Sequence, residues 1–241
     1  MKNIAIFVSG NGTNCENIIR HFSNSELARV RLVISSRADA YALTRAANLG
    51  VETAVADKAQ LAVEENVLPL LRSRSIDYIV LAGFLLMVPE YLTREYDGRM
   101  LNIHPALLPK YGGKGMYGHH VHEAVKAAGE TETGITIHRV SSVCDGGEIV
   151  AQFRTPLAST DTVGDIEAKI HVLEMKHFPR TIEDEIRKTF GNRSDAHGRA
   201  SRIYDIRRNG RVLIIKPKPV IGARTDYSLF PMQISCCFLQ A

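Results

Sequence analysis

The 241-residue sequence lacks any apolar run near the roughly 18 residues that would suggest a membrane span. Met1-Lys2-Asn3 leads directly into an apolar run, without the charged, apolar and small-residue regions of a signal peptide, so the expected compartment is the cytoplasm. Cysteine is scarce: Cys15, Cys144, Cys236 and Cys237 form no CxxC pair and no zinc spacing, and free thiols are expected. There are no internal repeats. No Walker A sequence, no Gly-x-Ser-x-Gly elbow and no nucleic-acid-binding motif occurs. Nucleotide triphosphate hydrolysis by a P-loop, serine-esterase chemistry and membrane insertion are therefore not expected.

What remains is an ordinary globular composition, 45% hydrophobic and 23% charged, long enough to bury a sizeable core. The net charge of +4 is unevenly spread. From Gly191 onward there are nine Lys/Arg and three Asp/Glu, which leaves 21 basic and 23 acidic residues before it. The body is near neutral and the tail is basic. A solvated extension is the expectation for this tail, and no nucleic-acid partner is expected, because no recognition motif accompanies the charge.

Short apolar runs alternate with helical patterns over the first hundred residues. Strands are expected at 3–8, 30–34, 51–56, 76–82 and 100–104, with helices at 14–22, 39–49 and 61–72. A short helix with Pro89 in its first turn is expected up to Tyr96. This is the signature of an α/β fold: a doubly wound, mostly parallel sheet with helices on both faces. Beyond a Gly- and Pro-rich loop at 105–118 come a helix at 119–128 and two strands at 134–140 and 148–157. These strands, joined by a turn at Asp145-Gly146-Gly147, would add antiparallel strands in the C-terminal half. Two further helices are expected, 161–177 with Thr160 or Asp161 as N-cap, and a second one from Pro179 to Phe190. The expected domain is 1–190, followed by a C-terminal extension at 191–241. Within that extension a strand is expected at 211–215, and the apolar end at 230–239 reads as an aggregation liability.

Three constellations could carry chemistry. Ser9-Gly10-Asn11-Gly12-Thr13-Asn14 is a glycine turn leading into a helix, where backbone N–H groups and the helix dipole favour a phosphate. Cys15 stands where the dinucleotide fingerprint needs its third glycine, so a phosphorylated small molecule fits better than NAD; a purely structural turn is the alternative. Asn102 and His104 lie two apart on one strand, so they share a face, and Pro105 ends that strand. An amide donor beside an imidazole suits a developing oxyanion and a proton transfer, although such a pair taken alone is more often structural. Asp145, in the turn Cys144-Asp145-Gly146-Gly147, could reach an imidazole and raise its pKa, or could simply bond its own backbone. His119, His120 and His122 are close in sequence, but the first two point apart on a helix, and no metal is expected.

Together these motifs, with Leu81-Ala82-Gly83-Phe84 and the run Leu101-Asn102-Ile103-His104-Pro105-Ala106-Leu107-Leu108-Pro109-Lys110-Tyr111, closely resemble the phosphoribosylglycinamide formyltransferase family. The resemblance covers about residues 1–190. It implies transfer of a formyl group from 10-formyltetrahydrofolate, a co-substrate, to the amine of glycinamide ribonucleotide in purine synthesis. Asn102, His104 and Asp145 match the family's catalytic set. Gly12, Thr13 and Asn14 would bind the substrate phosphate, and Glu174 would hold the same substrate from a C-terminal helix. Leu85, Leu86, Met87 and Val88, with Asn102, Ser141, Ser142, Val143, Cys144 and Asp145, would line the folate pocket. Leu86 stands where some members carry arginine, and Gln60 is the nearest match to another arginine near the folate tail. A monomer and a homodimer are both compatible with the sequence. Two relatives within the superfamily are weaker matches. A formyltetrahydrofolate hydrolase usually carries an N-terminal regulatory domain, and a methionyl-tRNA formyltransferase needs a tRNA-binding domain. Outside it, a phosphate-binding protein without catalysis would leave Asn102, His104 and Asp145 idle.

Overall fold

The computed structural model describes residues 1–198, 206–208 and 211–213, with side chains described through Gly191. The elements of the main body run β1 (Lys2–Val8), α1 (Thr13–Phe22), β2 (Ala28–Ser35), α2 (Tyr41–Asn48), β3 (Glu52–Val55), α3 (Lys58–Leu61), α4 (Glu64–Ser73), β4 (Tyr78–Leu81), α5 (Glu90–Glu95) and β5 (Met100–His104). They continue with α6 (His119–Ala127), β6 (Glu132–Arg139), β7 (Ile149–Pro156) and α7 (Val163–Gly198). The chain divides into two compact units, Met1–Asp195 and Ala196–Ala241. Described in the second unit is an antiparallel pair, β8 (Ile206–Arg208) with β9 (Arg211–Leu213). The expected apolar end at 230–239 lies outside the described residues.

The seven strands of the main sheet are ordered β3-β2-β1-β4-β5-β6-β7. The first five are mutually parallel, whereas β6 runs antiparallel to both β5 and β7. The chain winds outward from β1 to β3 and then returns to β4 on the other side of β1. This reversal makes the carboxyl ends of β1 and β4 the topological switch point, where open α/β sheets place their ligands.

Side-chain alternation along the strands builds two cores. Ile4, Ile6 and Val8 of β1 join Leu101 and Ile103 of β5 under α1, α2 and α7. Ala5 and Phe7 join Met100 on the opposite face, under α3, α4 and α5. Asn102 and His104 follow Met100 on that second face, so the alternation that buries Leu101 and Ile103 on one side delivers the polar pair to the other.

Four local expectations are corrected. The helix expected at 61–72 starts later, as α4, and a separate single turn, α3, precedes it, with Asp57 and Gln60 forming a reciprocal capping box at its start. Pro89 precedes α5 as its N-cap instead of occupying the first turn. The start of α7 is set by Thr162, not Thr160 or Asp161. Its hydroxyl accepts from the Asp165 N–H (3.1 Å) while the Asp165 carboxylate accepts from the Thr162 N–H (2.9 Å). The two helices expected around Pro179 are one helix. Proline has no N–H for the carbonyl four residues back, Met175, and ordinarily breaks a helix there. The Asn17 side-chain amide on α1 donates to that carbonyl (2.8 Å), and the helix continues.

Candidate active site

The loop after β1 is fixed before any ligand enters. Gly12 sits at φ +78°, and a Cβ there would meet the Ala42 Cβ at 2.4 Å, so only glycine allows α2 to pack this close. The Gly10 carbonyl accepts from the Ala42 N–H, and Arg45 on α2 donates to the Asn11 carbonyl (2.9 Å). No side chain caps α1 at Gly12. Its first-turn N–H groups, those of Thr13, Asn14 and Cys15, therefore meet no capping side chain at the positive end of the helix dipole, an arrangement suited to an anion. Ser9 ties the switch point together: its hydroxyl lies 2.6 Å from the Ser36 hydroxyl and accepts from the Leu85 N–H (2.9 Å). Cys15 points into the core, and burial pushes its thiol pKa up to about 12.

Asn14 and Glu174 come together across 160 residues of sequence. The Asn14 amide donates to the Glu174 carboxylate (2.9 Å), and His171 lies 3.5 Å from the same carboxylate. Burial raises the pKa of Glu174 above the ordinary carboxylate range, and the contacts to Asn14 and His171 only partly oppose it.

At the end of β5, His104 is 3% exposed, and its Nε2 lies 2.7 Å from the Tyr111 carbonyl oxygen. Its Nδ1 faces Asp145 Oδ2 at 3.6 Å. Asp145 Oδ1 in turn lies 3.5 Å from His138 Nε2, and Asn102 Nδ2 lies 3.0 Å from the same nitrogen. The other ring nitrogen of His138 donates to the Arg139 carbonyl (2.9 Å), so in the neutral ring Nε2 is the acceptor. Asn102 therefore donates one amide hydrogen to His138 and keeps a second for a ligand. Of the three residues singled out in the sequence, Asp145 faces His104 directly, and Asn102 joins them through a fourth, His138, that sequence reading did not single out. The β5–β6 register pairs Asn102 with His138 and His104 with Thr136. The alternation of Thr136 and His138 with Ile135 and Ile137 was the available signal. Thr136 holds the following loop, accepting from the Leu108 N–H (3.0 Å) and donating to the Ala106 carbonyl (2.7 Å).

Asp145 is held in the left-handed region at φ +51°. Gly147 beside it has no room for a side chain, since a Cβ would lie 1.7 Å from the Arg139 carbonyl oxygen. The Asp145 carboxylate also accepts from the Gly113 N–H (2.9 Å). Burial pushes its pKa up, but His138, the Gly113 N–H and the neighbouring His104 ring outweigh this and hold it below the ordinary value. The expectation that Asp145 leaves His104 with a raised pKa is corrected. Burial dominates and lowers the His104 pKa, with Asp145 and the Tyr111 carbonyl pulling it back only in part. That direction favours the neutral imidazole in the free protein.

The residues expected at a folate pocket divide by facing. Leu85 and Met87 are exposed, whereas Leu86 and Val88 pack inward on the second core. Ser141 and Val143 close a small turn, with the Val143 side chain exposed. Cys144 is exposed beside Asp145, and partial burial followed by that carboxylate keeps its thiol above the ordinary pKa, unsuited to a thiolate nucleophile. Gln60 is engaged in the α3 cap, its side-chain oxygen accepting from the Asp57 N–H (3.1 Å). His119 and His120 pair with Glu123, whereas His122 is buried. Among the described residues no group of three or more ligating side chains could hold a metal ion.

An open α/β sheet with a glycine loop at its switch point and an amide–imidazole–carboxylate cluster at the end of β5 is an arrangement suited to a group-transfer enzyme acting on an anionic small molecule. The formyl transferase family matches residues 2–182. The phosphoribosylglycinamide formyltransferase of Haemophilus influenzae is 36% identical over 188 residues, covering 76% of this chain and 86% of the relative. That of Escherichia coli is 34% identical over 185 residues, covering 75% and 85%. The crystal structure of phosphoribosylglycinamide formyltransferase from Streptococcus pneumoniae superposes with a TM-score of 0.68 at 36% identity, covering 76% of this chain and 98% of that one. The chain belongs to the formyl transferase family and, within it, to the phosphoribosylglycinamide formyltransferases. No described helix is long and apolar enough to cross a membrane.

Proposed function

We propose that the protein transfers the formyl group of 10-formyltetrahydrofolate to the amine of glycinamide ribonucleotide, in the cytoplasm, with residues 1–190 carrying the whole reaction. One observation carries this reading: Asn102, His104 and Asp145 converge, through His138, at the carboxyl end of β5. The substrate phosphate occupies the N–H groups of Gly12, Thr13 and Asn14, and Glu174 holds the same substrate. The exposed side chains of Leu85, Met87 and Val143 offer apolar contact to the folate, with Ser141, Ser142 and Cys144 completing that wall.

The amine attacks the formyl carbon, and the carbonyl oxygen becomes an oxyanion. The remaining Asn102 amide hydrogen stabilises that charge, worth about 10²-fold to 10³-fold in rate for a well-placed donor. The amine must lose a proton and the departing folate nitrogen must gain one. His104 starts neutral, and Asp145 beside its Nδ1 favours the imidazolium once a proton arrives. The lowered pKa therefore suits a proton carrier better than a permanent cation.

The test is formyl transfer by the purified full chain with and without glycinamide ribonucleotide. Transfer that depends on the amine is expected, and His104→Ala should reduce kcat by about 10²-fold to 10⁴-fold. Folate consumption that proceeds equally well without the amine would make the protein a hydrolase, and no consumption in either case would remove the reading altogether.

A further inference from the structure

The segment Lys110–Gly113 crosses the active site and is pinned at three points. At one end the Glu130 carboxylate, in the turn between α6 and β6, accepts from both the Lys110 ammonium (2.8 Å) and the Tyr111 hydroxyl (2.8 Å). At the other end the Gly113 N–H donates to Asp145 (2.9 Å). Between them the Tyr111 carbonyl meets His104 Nε2 at 2.7 Å. Tyr111 holds a left-handed backbone, φ +56°, which a non-glycine residue adopts only when its surroundings fix it. The phenol is the anchor: a ring attached at that strained Cα is tied at its far end to a carboxylate outside the site.

That carbonyl decides where the His104 proton sits. A carbonyl oxygen at hydrogen-bond distance accepts but cannot donate, so Nε2 must carry hydrogen. In the neutral ring Nδ1 is then the bare nitrogen, and it is the one facing Asp145. Without the carbonyl both tautomers become available, and the Nδ1–H form has already filled the nitrogen that must accept the incoming proton.

We propose that Glu130 is a positioning residue for formyl transfer: through the Tyr111 hydroxyl it fixes the backbone carbonyl that selects the Nε2–H tautomer of His104. This rests on the formyl-transfer reading of the site only for its kinetic consequence. The groups around His104 are Asp145, His138 and, further off, His122; those around Glu130 are Lys110 and Tyr111, with Glu132 and Arg154 paired alongside.

The experiment uses the full chain labelled with ¹⁵N-histidine, in wild type, Tyr111→Phe, Glu130→Ala and Glu130→Gln. Long-range ¹H–¹⁵N spectra read the His104 tautomer without substrate, so this result stands or falls independently of the assigned reaction. Wild type is expected to show the Nε2–H form, and Tyr111→Phe and Glu130→Ala a mixture. Loss of one anchoring hydrogen bond is expected to lower kcat by about 5-fold, with KM for both substrates within about twofold. Glu130→Gln, whose amide oxygen can still accept from the hydroxyl, should recover most of both signals. An unchanged tautomer in both Tyr111→Phe and Glu130→Ala overturns the proposal, including the case in which kcat falls in step with thermal stability, because that pattern describes a merely structural contact.

Discussion

A carboxylate taken out of water without a full countercharge costs the fold stability, and Glu174 is held in that condition. Its neighbours are a neutral amide, Asn14, and His171, and burial outweighs both in raising its pKa. The sign follows from proton binding. A folded pKa above the unfolded value near 4.5 means the folded state binds more protons in that window. The favourable contribution is complete below the unfolded pKa and is lost as pH rises through the raised folded one, so at neutral pH Glu174 is a net cost. Glu174→Gln keeps a carbonyl oxygen for Asn14 and removes the charge. The free protein should then melt higher at pH 7, by a few degrees for about 1 kcal/mol, with the gain disappearing near pH 4. If Glu174 also holds the ribonucleotide, KM for that substrate should rise about 10-fold or more while the melting temperature climbs. Calorimetry across pH alongside steady-state kinetics reads both. A variant that melts no higher at pH 7 would show that the carboxylate is adequately solvated. His104 and His122 have folded pKa values lowered chiefly by burial, so their contributions shrink as pH falls below 6.5, and the wild-type-minus-variant difference separates Glu174 from them.

At the scale of elements, α1 and α7 are joined by a polar row. Asn14, Asn17 and His21 lie three and four residues apart on α1 and reach Glu174, the Met175 carbonyl and Glu183 on α7. The middle contact replaces the hydrogen bond that Pro179 removes. Asn17→Ala leaves that carbonyl to solvent and should cost about 1 kcal/mol, a fall of a few degrees in melting temperature. Because Glu174 is the next residue back, KM for the ribonucleotide should rise while kcat holds. Unchanged stability would mean that water serves the carbonyl equally well. This contact also shows where sequence reading stops. The strand pattern of β1 and β5, the shared face of Asn102 and His104 and the antiparallel β6–β7 pair follow from local alternation, and they were legible. Pro179 reads locally as a break, and the donor that rescues it lies 162 residues from Pro179 in sequence. His138 becomes part of the site only through the β5–β6 register. The Tyr111 carbonyl is a backbone atom, which no residue type announces. The direction of the His104 pKa depends on how much water the finished fold removes, a quantity that the proximity of an aspartate does not set.

For the whole molecule, the question is where the cooperative body ends. Along α7, Phe178, Ile182 and Ile186 are fully buried against the sheet, and Phe190 packs edge-on against Tyr78 and under the Lys2 ammonium. Glu185, 2% exposed, accepts from Arg139 (2.6 Å), which itself donates to the Gly98 carbonyl (2.9 Å). All the site residues named above precede these. A chain ending at Asp195 keeps every one of these contacts, so its melting temperature should fall within about 3 °C of the full chain and its kcat/KM within about twofold. A chain ending at Asp184 removes Glu185, Ile186 and Phe190 together. It takes Glu185 from the Arg139 guanidinium, which keeps Glu148 (3.0 Å), and it removes the burial of Ile186, about 1.5–3 kcal/mol, together with the packing of Phe190, out of a total stability of about 5–15 kcal/mol. That shorter chain should show no cooperative melting transition. Comparing the two by calorimetry and formyl transfer locates the boundary between them. Lost activity in the Asp195 chain, with its melting transition intact, would assign part of the reaction to residues beyond 195.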